Sequence, residues 1–472
     1  MDKSNICFMA ITELAKLIKQ KQISPVEVTS VFLERIEKLD YKTNAFITIM
    51  ADQAITDSKK AEQEIINGDY RGSLHGIPIG LKDLYYTQGV HNTGGSKIPN
   101  WVNFIPEEDS TVTKRLRQSG AIIIGKLNMH EFAAGGTNHN PNYGSSRNPW
   151  GLDHMTGGSS GGSGAAVAAS LCTAAMGSDT GGSVRIPSAL CGIVGLKPTY
   201  GRVSCYGVIP LSWSQDHPGP MTKNVLDSAV LMNSIAGYDP RDPFTSKEPV
   251  PDFTKALKKG ISGTKIGIPS TYFFDGLDKE VKDSVGKAIS VLTGLGAIIQ
   301  EISLPHIEYS SYLKNHISMA EAANYHEQLL KVHADELTPN VRDRLELGLM
   351  LPANIYIKSQ RVRSVVREDF VNTLKTVDAL LTPTISITAP RIGQDTIEIE
   401  GKTQQLLEHL GRFTRPFNQT GLPACTVPCG FDSKGLPIGL QIVGKAFDES
   451  MVLRVAYSYE QATDWRNRRP NI

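Results

Sequence analysis

Gly157-Gly158-Ser159-Ser160-Gly161-Gly162-Ser163-Gly164, followed by a run of small and apolar residues and then by Gly177-Ser178-Asp179-Thr180-Gly181-Gly182-Ser183-Val184-Arg185-Ile186-Pro187, is the most informative stretch of the 472-residue chain. Three readings compete for it. A flexible Gly/Ser linker is the plainest, but linkers are not normally followed at once by apolar and small residues and a second glycine-serine cluster. A phosphate-cradling loop is the second, since glycines at a helix start expose amide groups to anions. The Lys-Ser/Thr ending of a P-loop is missing, however, and Gly162-Ser163-Gly164-Ala165-Ala166-Val167 departs from the dinucleotide pattern at its last position. The third reading is hydrolytic. Gly157 to Gly161 satisfies the G-x-S-x-G turn that presents a serine nucleophile, and so does the frame centred on Ser160. That turn needs an acid and then a histidine further along; His306, His316, His326, His333 and His409 lie downstream, none in a distinctive context.

Outward from this stretch, helix and strand patterns alternate. Ser24-Pro25-Val26-Glu27 opens a helix with a capping serine and a proline at the first helical position. A second helical stretch runs from about Asp52 to Ile66. The short apolar run Gly76 to Leu81 is expected to be a buried strand, which places Lys82 and Asp83 at its carboxyl end. Thr111 to Gln118 has helical spacing, Ala121 to Ile124 is a β-branched strand, and the small residues from Ala165 to Ala175 fit only a tightly packed helix or strand. The alternation continues through Lys265 to Pro269, Val281 to Leu292, Ala297 to Ile302 and Ala379 to Thr382, and closes with strands at Ala424 to Pro428 and Pro437 to Val443. Such a series predicts an α/β protein with helices covering a large mixed sheet. One domain is expected over 1–472: N-terminal helices at about 10–66, a core at about 70–240, a charged helical lobe at about 247–368, and C-terminal core strands at about 377–465.

Composition narrows the function classes. Forty-nine basic against 48 acidic residues give a net charge of +1, so no polyanion footprint is present and nucleic acid is not an expected partner. The six cysteines (Cys7, Cys172, Cys191, Cys205, Cys425, Cys429) are scattered, as reduced thiols in the cytoplasm would be. Cys425 and Cys429 form the only close pair, but no second pair or nearby histidine completes a zinc site. Charge interrupts the apolar positions at the start of the chain, and no run of about 18 apolar residues occurs, so neither a signal peptide nor a membrane span is expected.

Taken with Lys82, the two glycine-serine clusters resemble the amidase signature family. They match its G-G-S-S-G-G-S run and then D-x-G-G-S-[IV]-R-x-P-[SA], with Ser159 and Ser183 24 positions apart. The similarity extends to Gly76-Ile77-Pro78 through Lys82-Asp83, Gly125-Lys126-Leu127-Asn128, Gly195-Leu196-Lys197-Pro198-Thr199, Gly421-Leu422-Pro423-Ala424 and Pro437-Ile438-Gly439-Leu440-Gln441. The resemblance implies a three-layer α/β/α fold and no metal or organic cofactor. It implies Ser183 as nucleophile, Ser159 as a bridging serine behind a cis peptide, Lys82 as base, and Ser160, Asp179 and Arg185 as supports of the turn.

The chemistry also follows from the residue types. A serine hydroxyl must lose its proton as it attacks, and a lysine can accept one only when neutral. Burial at the end of an apolar strand disfavours the ammonium form. The plainer reading of Lys82, a surface lysine paired with Asp83, competes with this one. A hydroxyl accepts one hydrogen bond while donating another, so Ser159 suits a relay between Lys82 and Ser183. Backbone amides from Thr180, Gly181, Gly182 and Ser183 are expected to form the oxyanion hole.

Within the family, two activities fit these motifs: a free-standing amidase cleaving linear carboxamides, and the glutaminase component of a glutamyl-tRNA(Gln)/aspartyl-tRNA(Asn) amidotransferase, its A subunit, which hydrolyses glutamine and passes ammonia to partner subunits. By resemblance, the arginine that contacts glutamine in that component corresponds to Arg363. The aspartate expected shortly before Asn418-Gln419-Thr420-Gly421 is replaced by Gly411. Leu211 to Pro220, Arg412 to Phe417 and Ala462 to Trp465 look more like free-standing amidases, so the free-standing enzyme is the preferred expectation. A non-catalytic binding protein retaining the fold is the alternative of another class. Tyr143, Trp213 and Phe413 are candidate pocket aromatics, with core packing as the competing role. A small-molecule amide is the expected substrate, and by family resemblance a homodimer would not be surprising.

Overall fold

Short runs of β-branched and small residues, separated by amphipathic helices, assemble into one eleven-stranded mixed sheet. The computed structural model describes residues 3–313 and 315–472. The strands lie in the order Phe46–Ile49, Ile122–Leu127, Pro78–Lys82, Ala174–Asp179, His217–Thr222, Val194–Lys197, Ala424–Phe431, Pro437–Gly444, Ala379–Pro383, Lys265–Pro269 and Ile298–Ile302. Pro78–Lys82 is parallel to both of its neighbours, whereas His217–Thr222 runs antiparallel to Ala174–Asp179 and to Val194–Lys197.

Several central strands are buried along their whole length, Pro78–Lys82, Ala174–Asp179 and Pro437–Gly444 among them. Successive side chains of a strand point to opposite faces, so complete burial means that helices cover both sides, and the fold is a three-layer α/β/α arrangement. The outermost strands, Phe46–Ile49 and Ile298–Ile302, are more exposed. Ser24 caps the helix Pro25–Thr43 by accepting from the Glu27 amide at 3.0 Å. Among the described residues no helix is long and apolar enough to cross a membrane.

Two segments differ from their sequence reading. Ala165 to Ala175 is neither one helix nor one strand: helix Gly161–Ala168 ends, Ser170 turns with a φ of 57°, and the strand Ala174–Asp179 follows. This break lets Ser160 and Ser178 face each other across the turn. The helical lobe is also narrower than 247–368. Lys265–Pro269 and Ile298–Ile302 pair in parallel with each other and extend the central sheet beyond Ala379–Pro383, with the helix Lys279–Gly294 as their crossover. Helices outside the sheet layers begin at Tyr309 and include His316–Tyr325, Pro339–Leu349 and Ala353–Thr373.

Candidate active site

The parallel neighbours Pro78–Lys82 and Ala174–Asp179 end side by side, which brings Lys82 and Ser178 together. Lys82 is fully buried, and its Nζ lies 2.6 Å from Ser159 Oγ and 2.8 Å from Ser178 Oγ. The competing surface pair does not form. Asp83 turns to Lys126 instead, at 3.2 Å with both side chains fully buried, and also accepts from the Thr93 amide at 3.0 Å. Lys82 therefore has hydroxyls, not a carboxylate, at its ammonium. Burial pushes it down to about 7, against the pull of the Asp216 and Asp179 carboxylates.

The Gly158–Ser159 peptide is cis. Ser159 offers its carbonyl to the His130 amide at 3.0 Å, and Ser160 bridges to the neighbouring strand, with its Oγ 3.2 Å from both the Ser178 carbonyl and the Ser178 amide. The amide of Ser160 donates to the Ser183 carbonyl at 3.4 Å, which ties the two glycine-serine segments together. Ser159 and Ser183 hydroxyls do not hydrogen-bond to each other in this structure. Ser183 is slightly exposed and lines a cavity of about 720 Å³, together with His130, Thr180, Gly181, Arg344 and Arg415. Met155, Ile186, Leu406 and Leu410, from a satellite apolar cluster, form another part of its wall.

Asp179 organises the turn from Thr180 to Arg185. Its carboxylate accepts from the amides of Gly182 at 2.8 Å, Val184 at 3.1 Å and Arg185 at 3.3 Å. Gly182 therefore points its N–H at Asp179 and not toward the cavity, unlike the expectation that all four amides from Thr180 to Ser183 converge there. The Gly181 and Ser183 amides make no hydrogen bond among the described residues. Gly182 has a φ of 132°, a conformation that favours glycine. Thr180 is anchored separately, donating through Oγ1 to Asp216 at 2.5 Å; Asp216 also accepts from the amides of Leu211 and Ser212, and burial raises it to about 6.

Arg185 completes this support with all five of its guanidinium donors engaged: Nε and one Nη2 bond reach Asp179, and the others reach Asn418, Gln441 and the Thr414 carbonyl at 2.7–2.8 Å. This guanidinium beside Asp179 holds the carboxyl well below the usual carboxylate range. Arg185→Met is expected to destabilise the fold by about 3–5 kcal/mol, because it strands a buried carboxylate. Urea unfolding at neutral pH measures this; a loss below about 1 kcal/mol would show that the pair is not needed for the fold.

The four residues expected from the sequence to line the pocket do not line this cavity. Phe413 is fully buried and packs against Tyr272 and Phe273, so its role is in the core. Tyr143 donates to the Ser96 carbonyl, and Trp213 borders a smaller depression with Tyr200 and Phe244. Arg363 is spent on the Gln419 carbonyl and on Ser214, fixing the loop before Asp216. Ser178, Asp216 and Arg415 stand inside stretches that the sequence singles out, but no motif gives any of them a role, and His130 and Arg344 carry no local signal.

A model of the amidase family matches residues 27–453. The chain is 43% identical over 481 residues to the A subunit of glutamyl-tRNA(Gln) amidotransferase from Geobacter sp. (strain M21), covering 97% of this chain and 98% of that one. Among solved structures, the same component from Thermotoga maritima superimposes with a TM-score of 0.81 at 35% identity, over 97% of this chain and 95% of that one. A chain of an inhibitor-bound vestigial protein complex that reveals the evolutionary origins of an s-triazine catabolic enzyme superimposes with a TM-score of 0.92 at 32% identity, over 96% and 98%. With the family model spanning most of the sequence and relatives aligned over nearly all of it, the chain belongs to the amidase signature family, enzymes that hydrolyse carbon–nitrogen bonds in amides.

Proposed function

We propose that this chain hydrolyses a carboxamide through an acyl-enzyme on Ser183, with Ser159 as relay and Lys82 as base. The observation that carries the reading is a fully buried lysine with its Nζ 2.6 Å from Ser159 Oγ, in an environment that brings its pKa down to about 7. Ser183 Oγ attacks the carbonyl carbon. Its proton passes to Ser159 Oγ as the Ser159 proton passes to neutral Lys82 Nζ. The second link of the relay closes as substrate brings Ser183 into line, since catalytic hydrogen bonds in free enzymes are often long and tighten in the complex. The free Gly181 and Ser183 amides face the developing oxyanion. Collapse breaks the C–N bond, the leaving nitrogen takes the proton back through Ser159, and water then releases the acyl group by the same route.

For the setting of this activity, the relatives favour the glutaminase component of an amidotransferase over the free-standing linear amidase expected from sequence. Identity of 40–43% over 97–98% of the chain to proteins of that name supports it. On this reading ammonia released at Ser183 serves partner subunits. Affinity purification of the full chain from its own cells tests it: recovery of stoichiometric partner subunits is expected, and a fully active chain with none would return the free-standing reading. One observation favours that second reading, namely that Gly411 stands where the amidotransferase component is expected to carry an aspartate, with the Arg415 guanidinium beside it.

A further inference from the structure

We infer that the cavity beside Ser183 selects an amide whose acyl part carries a carboxylate and no ammonium group, with Arg415 and Arg344 holding that carboxylate. The inference rests on amide hydrolysis at Ser183 and goes with the free-standing reading that Gly411 favours; glutamine binding as tightly as glutaramate would return the glutaminase reading. Arg415 lies between the nucleophile turn and Gly411: a Cβ built at Gly411 would stand 2.7 Å from its Nη2, and one at Gly181 would stand 4.0 Å from its Nε. Both arginines line the cavity with Ser183.

Among the described residues neither guanidinium has a counter-anion. Among the described residues no carboxylate oxygen lies within 4.0 Å of either, and no side-chain hydrogen bond of Arg415 is formed. Arg344 donates to the Ala134 carbonyl at 3.3 Å and to Ser318 Oγ at 3.1 Å, while its buried Nε has no partner among the described residues. Arg185, in the same site, shows what a satisfied guanidinium looks like in this protein: five donors, five bonds, one carboxylate. Burial lowers both Arg344 and Arg415, and Arg415 lowers Arg344 further, to about 10. His130, also on the cavity, is pushed by burial down to about 3 and is neutral, so it brings no charge. The acids on the cavity, Asp343 and Asp395, are exposed and approach neither arginine.

Two half-buried cations without an anion are costly in the free protein, and a planar carboxylate fits their forked donors. A substrate ammonium, by contrast, would meet the Arg415 guanidinium next to Gly411, the position where an aspartate is expected in the amidotransferase component. Glutamine and glutaramate differ by that one ammonium group, and pentanamide is the neutral counterpart, so the three separate the contributions.

The test is calorimetric titration of full-length Ser183→Ala, which cannot turn the amides over, with glutaramate, glutamine and pentanamide. Glutaramate is expected to bind at least about tenfold more tightly than either of the others, as a charge-assisted pair requires. Arg415→Met in the same background is expected to erase that preference, and Arg415→Lys to keep part of it. Pentanamide or glutamine binding as tightly as glutaramate would overturn the inference, as would a preference that survives in Arg415→Met. Hydrolysis by the unsubstituted enzyme is read separately: failure to cleave any amide would remove the acyl-transfer reading, whatever the binding order.

Discussion

Replacing Lys82 by alanine is expected to lower kcat by about 10³–10⁴-fold and to remove the acid limb of the pH profile, effects of the size that general-base catalysis supplies. Among the described residues Lys82 is the only cation within hydrogen-bond reach of Ser159, and burial brings it down to about 7. The sign follows directly. Above that pH the amine is neutral and accepts the Ser159 proton; below it the ammonium form dominates, and kcat/KM falls about tenfold per pH unit. Lys82→Arg is expected to be as inactive as the alanine variant, because a guanidinium is protonated throughout this range and has no acceptor site. Initial rates between about pH 5 and 9 for the three proteins decide the matter. A limb that persists in Lys82→Ala would move the base elsewhere.

The largest loss is expected at the nucleophile. Ser183→Ala removes the atom proposed to form the acyl bond, and the expected fall in kcat is on the order of a millionfold, leaving only what the oxyanion donors and substrate positioning contribute. The fold is expected to be unaffected within about 0.5 kcal/mol, since the Ser183 hydroxyl makes no hydrogen bond among the described residues. Ser159→Ala is intermediate: it breaks the 2.6 Å contact with Lys82 but keeps Ser183 in place. Steady-state rates together with urea unfolding separate lost chemistry from lost folding. Substantial turnover by Ser183→Ala would assign the nucleophile to another residue.

The sheet is legible in the sequence because its strands are short, nearly continuous apolar runs set between amphipathic helices, and Lys265–Pro269 and the helix Thr111–Gln118 are found where those patterns place them. Their membership of one sheet is not legible: that Lys265–Pro269 continues the core depends on pairing with Ala379, more than a hundred residues away. The chemistry-bearing residues Lys82, Ser159 and Ser183 carry local motifs, which is why sequence alone singles them out. The contacts that hold them in place carry none. Asp216 meets Thr180, and Arg185 meets Asn418 and Gln441, across 36, 233 and 256 positions, contacts that leave no mark on short-range spacing. Aromaticity is a poor guide to the pocket because a ring such as Phe413 serves a core equally well, and here it packs against Tyr272 and Phe273. Arg415 sits two residues from Phe413 and gives no signal of its own, since an arginine in a polar stretch reads as solvated until its surroundings are known. Local words such as Leu211 to Pro220 point to a free-standing amidase, whereas identity over the whole chain favours the amidotransferase component.

The claim on which the rest depends is that Ser183 becomes covalently acylated. Treating the full chain with a fluorophosphonate or sulfonyl fluoride and mapping the adduct by tandem mass spectrometry tests it most directly. A single adduct on Ser183, formed faster as pH rises through about 7 and lost in Lys82→Ala, is the expected result. An adduct on Ser159, Ser160 or Ser163, or none at all in folded protein, would contradict it.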